Sequence, residues 1–453
     1  MNKKIFLIFF FAFIIRLIAL NQSLWLDESV TANVVKSFGF TQIISKFSPT
    51  DFHPPLYYLF MKLWTNLFGF SEIGLRMPSV LFSLMTGWVI YLIGGTWAAA
   101  FFLFNPLIIY YSQEARMYMM ATFFLTTALY YFLRISRSLD SRLRGNDILF
   151  GLFISLAFLT FYGSIFLISA MLLYLLFKKE YKSFFVSCSL FLVSFVLISP
   201  LLYQQFLNSK IALASVANWS LVLGKANIKN LLLIPIKFSI GRISFYPKWL
   251  YWGIAGMWTG FVALLLIQKL KVKNSFDVAQ DKQNLDSKIK SLLFLLLLPL
   301  FLGFLVSFFA PMMQYFRFIY LIPIMAILLS LNKNTSMYRY IEVLGFVIFS
   351  LVYLSLPQFH REDWRSLVKN LPKDKPVYMI TASSDPVKYY NKNLIINELK
   401  SLSSSSSLSR KIIIIPYVTE IYGLDYKNLL TKAGYHFKKE VSFREVAYEQ
   451  WVK

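Results

Sequence analysis

Residues 5–35 read IFLIFFFAFIIRLIALNQSLWLDESVTANVV. The apolar run Ile5 to Leu20 is of membrane length, and Asn2, Lys3 and Lys4 before it hold the N-terminus in the cytoplasm. Arg16 interrupts the run and no small-residue cleavage site follows it, so the segment reads as a retained first span rather than a signal peptide. Two adjacent carboxylates, Asp27 and Glu28, then emerge on the outer face. Either they are solvated at the membrane rim or paired with Arg16, or they carry chemistry.

Working outward, 57% of the 453 residues are hydrophobic and 18% aromatic, gathered into many runs too long for ordinary core helices. The fold class is an all-α polytopic membrane protein. Spans fall near 5–20, 78–94, 96–111, 115–134, 148–161, 164–177, 183–203, 249–267, 291–309, 317–331 and 338–356, about eleven in all. The net charge of +24 does not point to nucleic acid, because the basic residues collect in short links between the runs. Arg134, Arg137, Arg142 and Arg144, then Lys178, Lys179 and Lys182, then Lys269 to Lys290, then Lys333 and Arg339 fall on the side of Lys3 and Lys4. That parity places the tail outside the cell with Asp27. The single cysteine, Cys188, excludes an intrachain disulfide and a thiolate metal cluster.

The outer segments carry more chemistry than the inner ones. Val30, Val34, Val35, Phe38, Ile43, Ile44 and Phe47 recur at helical spacing, and residues 55–70 form a second amphipathic stretch broken by Lys62, so helices within 21–77 lie in the interface plane. His53 stands before two prolines, as a packing residue or a site residue. A polar knot at 111–118 joins two spans. If it is helical, Gln113 shares a face with Arg116, and Glu114 shares one with Tyr118. Arg116 with Gln113 then grips a phosphate, or else Arg116 closes the hairpin on Glu114.

The ordered strings DE at 27–28, HPPLYYLFMKLW at 53–64, FGFSEIGLRMPSVLF at 68–82 and YYSQEARMY at 110–118 resemble a family of integral-membrane glycosyltransferases. That family includes protein O-mannosyltransferases and the aminoarabinose transferase of lipid A. QYFRFIYLIP at 314–323 and EDWRSLV at 362–368 are similar to its later segments. The resemblance implies a C-type glycosyltransferase fold in the cytoplasmic (inner) membrane. It also implies a sugar donor linked to polyprenyl phosphate, and a glycan, lipid or protein acceptor whose hydroxyl attacks with inversion at the outer face. On the same basis Asp27 is the expected general base, and Glu28 orients the acceptor or a metal ion. Arg116 and Arg76 stand near the lipid phosphate, with His53, Tyr111, Gln113, Glu114, Tyr118 and Arg317 around the substrate. The family is not uniform in needing a divalent metal ion. This chain departs from it in three places: a link compressed to Gly94-Gly95-Thr96, Thr160-Phe161-Tyr162-Gly163 where many relatives carry a histidine, and Arg317-Phe318 in place of Arg-Tyr.

From Pro357 the composition changes. Short apolar runs such as Val377 to Ile380 and Ile412 to Ile415 alternate with helical patterns at Asp385 to Tyr390 and Asp425 to Ala433, which predicts a small extracytoplasmic α/β domain over 357–453 behind a transmembrane domain over 1–356. Ser401 to Ser409 reads as a loop inside it, and the domain is expected to capture acceptor or cover the site. Two other function classes fit the membrane reading: a transporter or flippase for a lipid-linked sugar, and a catalytically inactive sugar-lipid binding protein. Paired polar repeats at the bilayer midplane would mark the transporter, and no repeated half is present.

Overall fold

The computed structural model describes residues 3–135, 144–271, 279–331, 336–403 and 409–453. The polar insertions at 138–147 and 274–290, the basic residues Arg137, Arg142 and Lys333, and the serine run fall wholly or partly outside them. Five helical segments are long and apolar enough to cross a membrane: Glu72–Leu103, Tyr181–Ser215, Lys248–Ile267, Leu285–Val306 and Met337–Ser355. Shorter apolar helices, among them Lys3–Leu17 and Ile165–Phe177, pack with them. The chain is thus a multi-pass helical membrane protein, and the figure of eleven spans rests on the sequence alone.

The second and third expected spans show how the links work. Glu72–Leu103 is two helices that meet at Gly95, whose φ of +77° suits only a residue without a side chain. The legs fold back on each other. A Cβ on Gly87 would meet the side chain of Leu103 at 2.5 Å. In one continuous helix those two positions would lie about 24 Å apart. The returning leg then breaks at Phe104. Asn105 caps a new helix, Pro106–Ser112, by accepting hydrogen bonds from the Leu107 and Ile108 amides at 3.0 and 3.3 Å, with Pro106 in the first turn. The apolar run 96–111 is therefore not one helix. Arg16, fully buried, binds the break: its guanidinium donates to the Ser83 hydroxyl at 2.8 Å and to the freed Leu103 carbonyl at 3.0 Å.

The interfacial stretches form short helices at Leu26–Ser37 and Leu56–Phe68. The second is two-faced, with Tyr57, Tyr58 and Met61 buried and Leu63, Leu67 and Phe68 exposed. Lys62, which interrupts its apolar pattern, donates to the Val35 carbonyl at 2.7 Å, a cation on the C-terminal end of the neighbouring helix.

The tail folds as a five-stranded mixed sheet, β1 Val377–Met379, β2 Ile396–Glu398, β3 Lys411–Ile414, β4 His436–Phe443 and β5 Val446–Val452, in the order β2-β1-β3-β5-β4. β1 pairs in parallel with β2 and β3, and β5 antiparallel with β3 and β4. Alternation decides the faces. Val377, Met379 and Ile413 pack with Trp364 on one side, while Tyr378, Ile412 and Ile414 pack with Leu430 and Tyr435 on the other. Burial on both faces explains why these strands read as continuous apolar runs.

Candidate functional site

Asp27 and Glu28 occupy the first turn of the Leu26–Ser37 helix, where consecutive side chains diverge by about 100°. Glu28 points inward and is fully buried. Its Oε1 accepts from Arg76 Nε at 2.8 Å and from the Ala115 amide at 2.7 Å, and its Oε2 from Arg76 Nη2 at 2.5 Å. Arg76 spends its remaining N–H groups on the carbonyls of Leu20, Gln22 and Ser23. All five guanidinium donors are used inside the protein. Arg76 therefore has no donor left for a lipid phosphate, and Glu28 faces protein rather than substrate.

Asp27 points the other way, with 38% of its side chain exposed, and its Oδ2 lies 3.4 Å from Arg116 Nη2. Neither carboxylate pairs with Arg16. Arg116 is buried in the link between the helices Pro106–Ser112 and Tyr118–Ile135, and its Nε has no hydrogen-bond partner. Burial alone would lower the Arg116 pKa, yet Asp27, Tyr58, Tyr118 and Asp51 outweigh it and raise the value well above the ordinary one. Asp51 stands across this cation, 3.2 Å from His53 Nδ1, with its other oxygen, Oδ2, unpartnered. Burial pushes the Asp51 pKa up, but His53, Arg116 and the Phe52 amide bring it below the usual carboxylate value. Tyr118 lies within electrostatic range of Arg116, Asp27 and Arg317, its ring edge-on to Tyr111 at 5.2 Å and to Phe316 at 5.6 Å.

The structure thus gathers Asp27, His53, Tyr111, Arg116, Tyr118 and Arg317, and it commits the polar groups of Glu28, Arg76 and Gln113 to partners within the protein. Gln113 donates to the carbonyls of Arg16 and Ile18 and accepts from Tyr353. Glu114 is held through Oε1 by Arg361, 247 residues along the chain, with the Nε contact at 3.0 Å, while its Oε2 is buried without a hydrogen-bond partner. It does not clamp Arg116. The reason is local: residues 113–117 are not helical, so the face-sharing expected from their spacing does not exist. His53 is positioned instead by Gln205, which donates to the His53 and Ser48 carbonyls at 3.0 and 2.7 Å and accepts from Tyr162 at 2.7 Å. Tyr162 belongs to the segment where many relatives carry histidine.

The C-terminal unit sits over the same end of the bundle. Arg361 lies 3.8 Å from the ring centroid of Trp25, the Leu24 amide donates to Tyr390 Oη at 2.8 Å, and Asn33 donates to the Asp385 carboxylate at 2.8 Å. Arg365 reaches Glu72 at 2.7 Å. A cavity of about 200 Å³ opens at this junction, lined by Tyr110, Arg242, Gln358, His360, Arg361 and Glu445 among others. Arg242 donates to the Tyr110 hydroxyl at 2.5 Å and lies over its ring. Asp51, Arg242 and Arg361 escape sequence reading. Asp51 alone left a signal, standing two residues before the only histidine in the first half of the chain. Among the described residues no cluster of three or more His, Cys, Asp or Glu side chains is placed to hold a metal ion.

Residues 52–204 match the model of the dolichyl-phosphate-mannose-protein mannosyltransferase family. The chain also superposes on the crystal structure of ArnT from Cupriavidus metallidurans bound to undecaprenyl phosphate, at 12% identity over 98% of this chain and 96% of that one, with a TM-score of 0.53. The apo form of the same protein superposes over the same shares with a TM-score of 0.43. No curated protein sequence matches significantly. The likeness to the lipid-bound ArnT structure establishes a common fold, and the matched segment begins one residue before the His53-Pro54-Pro55 string on which the sequence resemblance rests.

Proposed function

We propose that this chain is an inverting glycosyltransferase that moves a sugar from a polyprenyl-phosphate carrier to an acceptor hydroxyl at the outer face of the cytoplasmic membrane. The observation that carries the reading is Asp27, a partly exposed carboxylate 3.4 Å from a buried arginine, with the family-model match starting on the neighbouring loop. In the proposed step an acceptor oxygen attacks the anomeric carbon on the face opposite the phosphate. The bond from that carbon to the phosphate oxygen breaks, and the electron pair leaves with the polyprenyl phosphate. Asp27 takes the acceptor's proton, a role typically contributing about 10²–10⁴ in rate. Arg116 and Arg317 stabilise the charge growing on the phosphate. Glu28 and Arg76 hold the helix that presents Asp27. No step is routed through a metal ion.

The C-terminal unit contacts Leu24, Trp25 and Asn33, so it shares a side of the membrane with Asp27. The basic links argue that this side is the outer one, and a reporter fused after Lys453 that is active only in the cytoplasm would contradict it. The transferase itself is tested with purified protein in vesicles carrying radiolabelled polyprenyl-phosphate sugars. Transfer or hydrolysis supports the enzyme, movement of label across the vesicle marks a flippase, and binding alone marks an inactive binder.

A further inference from the structure

The cavity at the junction of bundle and C-terminal unit carries more positive charge than the protein around it neutralises. Arg242 follows Gly241, which ends the helix Ile228–Ile240 with a φ of +72° and on which a Cβ would come within 3.0 Å of Pro106. That close turn lays the Arg242 guanidinium over the Tyr110 ring, 4.9 Å from its centroid, with a donor on the Tyr110 hydroxyl. Among the described residues Arg242 makes no ion pair and no other side-chain hydrogen bond, so most of its fork of N–H groups is unspent. Arg361 lies 5.3 Å from the same ring centroid, but Glu114 answers its charge. Glu445, the one carboxylate among the lining residues, is exposed and pairs with neither arginine. Lys248 adds a further cation at the rim, its Nζ 2.9 Å from the Ser244 hydroxyl that lines the cavity. Burial and the charges of Arg242 and Lys248 push the neighbouring Lys237 down to about 8, as befits a place where cations outnumber carboxylates.

We propose that this cavity is a second anion site, separate from the one at Asp27 and Arg116, and that it seats the phosphate of an anionic bilayer phospholipid against Arg242. Position argues for a lipid. Tyr246 and Trp249 are strongly exposed where this loop enters the apolar helix Lys248–Ile267, the place of interfacial aromatic anchors, so the cavity stands at headgroup depth. Size agrees. At about 200 Å³ it falls below the roughly 300–1,000 Å³ of pockets that enclose whole small molecules, which suits a headgroup whose chains stay in the bilayer. A planar guanidinium with free donors matches phosphate oxygens, and the surplus of cations disfavours a headgroup that brings its own ammonium. Separation follows from the helix Pro106–Ser112, on which Tyr111 packs against Tyr118 and Phe316 while Tyr110, about 100° away, packs against Arg242 and Arg361. The site does not depend on the transferase reading.

The test titrates the folded full chain in detergent with phosphatidylglycerol and reads the dissociation constant by native mass spectrometry. Arg242→Gln should weaken binding about ten- to a hundredfold, the loss of a hydrogen-bonded charge. Two exposed positions keep the test decisive if that variant does not fold. Gln358→Glu, which adds a carboxylate to the lining, should weaken binding roughly fivefold, and Glu445→Gln, which removes one, should tighten it by a similar factor, the scale of two unit charges about 4 Å apart in water. A constant that neither exposed substitution moves overturns the site. Soluble glycerol phosphate that binds as tightly as phosphatidylglycerol overturns the lipid assignment. Polyprenyl phosphate is the last arm: if it displaces phosphatidylglycerol, and Arg242→Gln weakens it while Arg116→Ala does not, the cavity belongs to the carrier and the two-site arrangement falls. Transfer from a labelled donor is scored separately, so failure of the lipid site and failure of the transferase reading are told apart.

Discussion

Asp27 and Glu28 are adjacent in sequence, chemically alike and within reach of an arginine each, yet their surroundings are opposite. Glu28 is sealed, with both oxygens bound and a partner whose every donor is engaged. Asp27 keeps over a third of its side chain in the open, beside a guanidinium with an unpartnered Nε. One helical step separates a sealed carboxylate from a partly open one. A polar pair is available for chemistry to the extent that its hydrogen-bonding capacity is left unspent, and burial with full satisfaction is the mark of architecture.

The sharpest way to break this contrast is to neutralise each carboxylate in turn. Asp27→Asn should lower transfer by about 10²–10⁴ with little change in thermal stability, because the amide keeps the shape and loses the base. Transfer within a few-fold of wild type would end the assignment. Glu28→Gln should instead cost roughly 3–5 kcal/mol of stability by stranding Arg76, and lower the rate per folded molecule far less. Denaturation midpoints and rates normalised to folded protein separate the two. Replacing both partners, Glu28→Met with Arg76→Met, should recover part of that loss, since no charge is then left unpaired. The arginines extend the contrast. Arg116→Ala should raise the dissociation constant for the lipid carrier about ten- to a hundred-fold, and Arg116→Lys less, because an ammonium cannot reproduce the planar fork. An unchanged constant removes Arg116 from the site. The smallest effect is a control: Gly95→Ala should cost about 1–2 kcal/mol through its positive φ, measured by thermal unfolding, with Asp27 and Glu28 both undisturbed in role.

Much of the bundle and the acidic pair was legible because apolar length and a local motif are properties of contiguous residues. The division of labour was not. Whether Glu28 or Asp27 faces inward depends on the rotation of a short helix, and that is set by Arg76, 48 residues away. The knot at 111–118 departs from helical spacing for a related reason: the Phe104-Asn105-Pro106 break and the turn after Ser112 redirect the chain. That break did leave a trace, a cap residue followed by proline, outweighed in the reading by the apolar run around it. Arg361 carried no local signal, since what qualifies it is contact with a distant segment.

The distance between Glu114 and Arg361 also has a bearing on how the molecule is made. Those partners are 247 residues apart, and most of the membrane segments are synthesised between them. During biosynthesis, Glu114 must wait at the bilayer edge until the last quarter of the chain has been translated and delivered to the same side. This end of the bundle is therefore assembled last. A chain stalled or clipped before Arg361 would insert its helices and still leave Glu114 and Trp25 without the cation that joins them to the C-terminal unit.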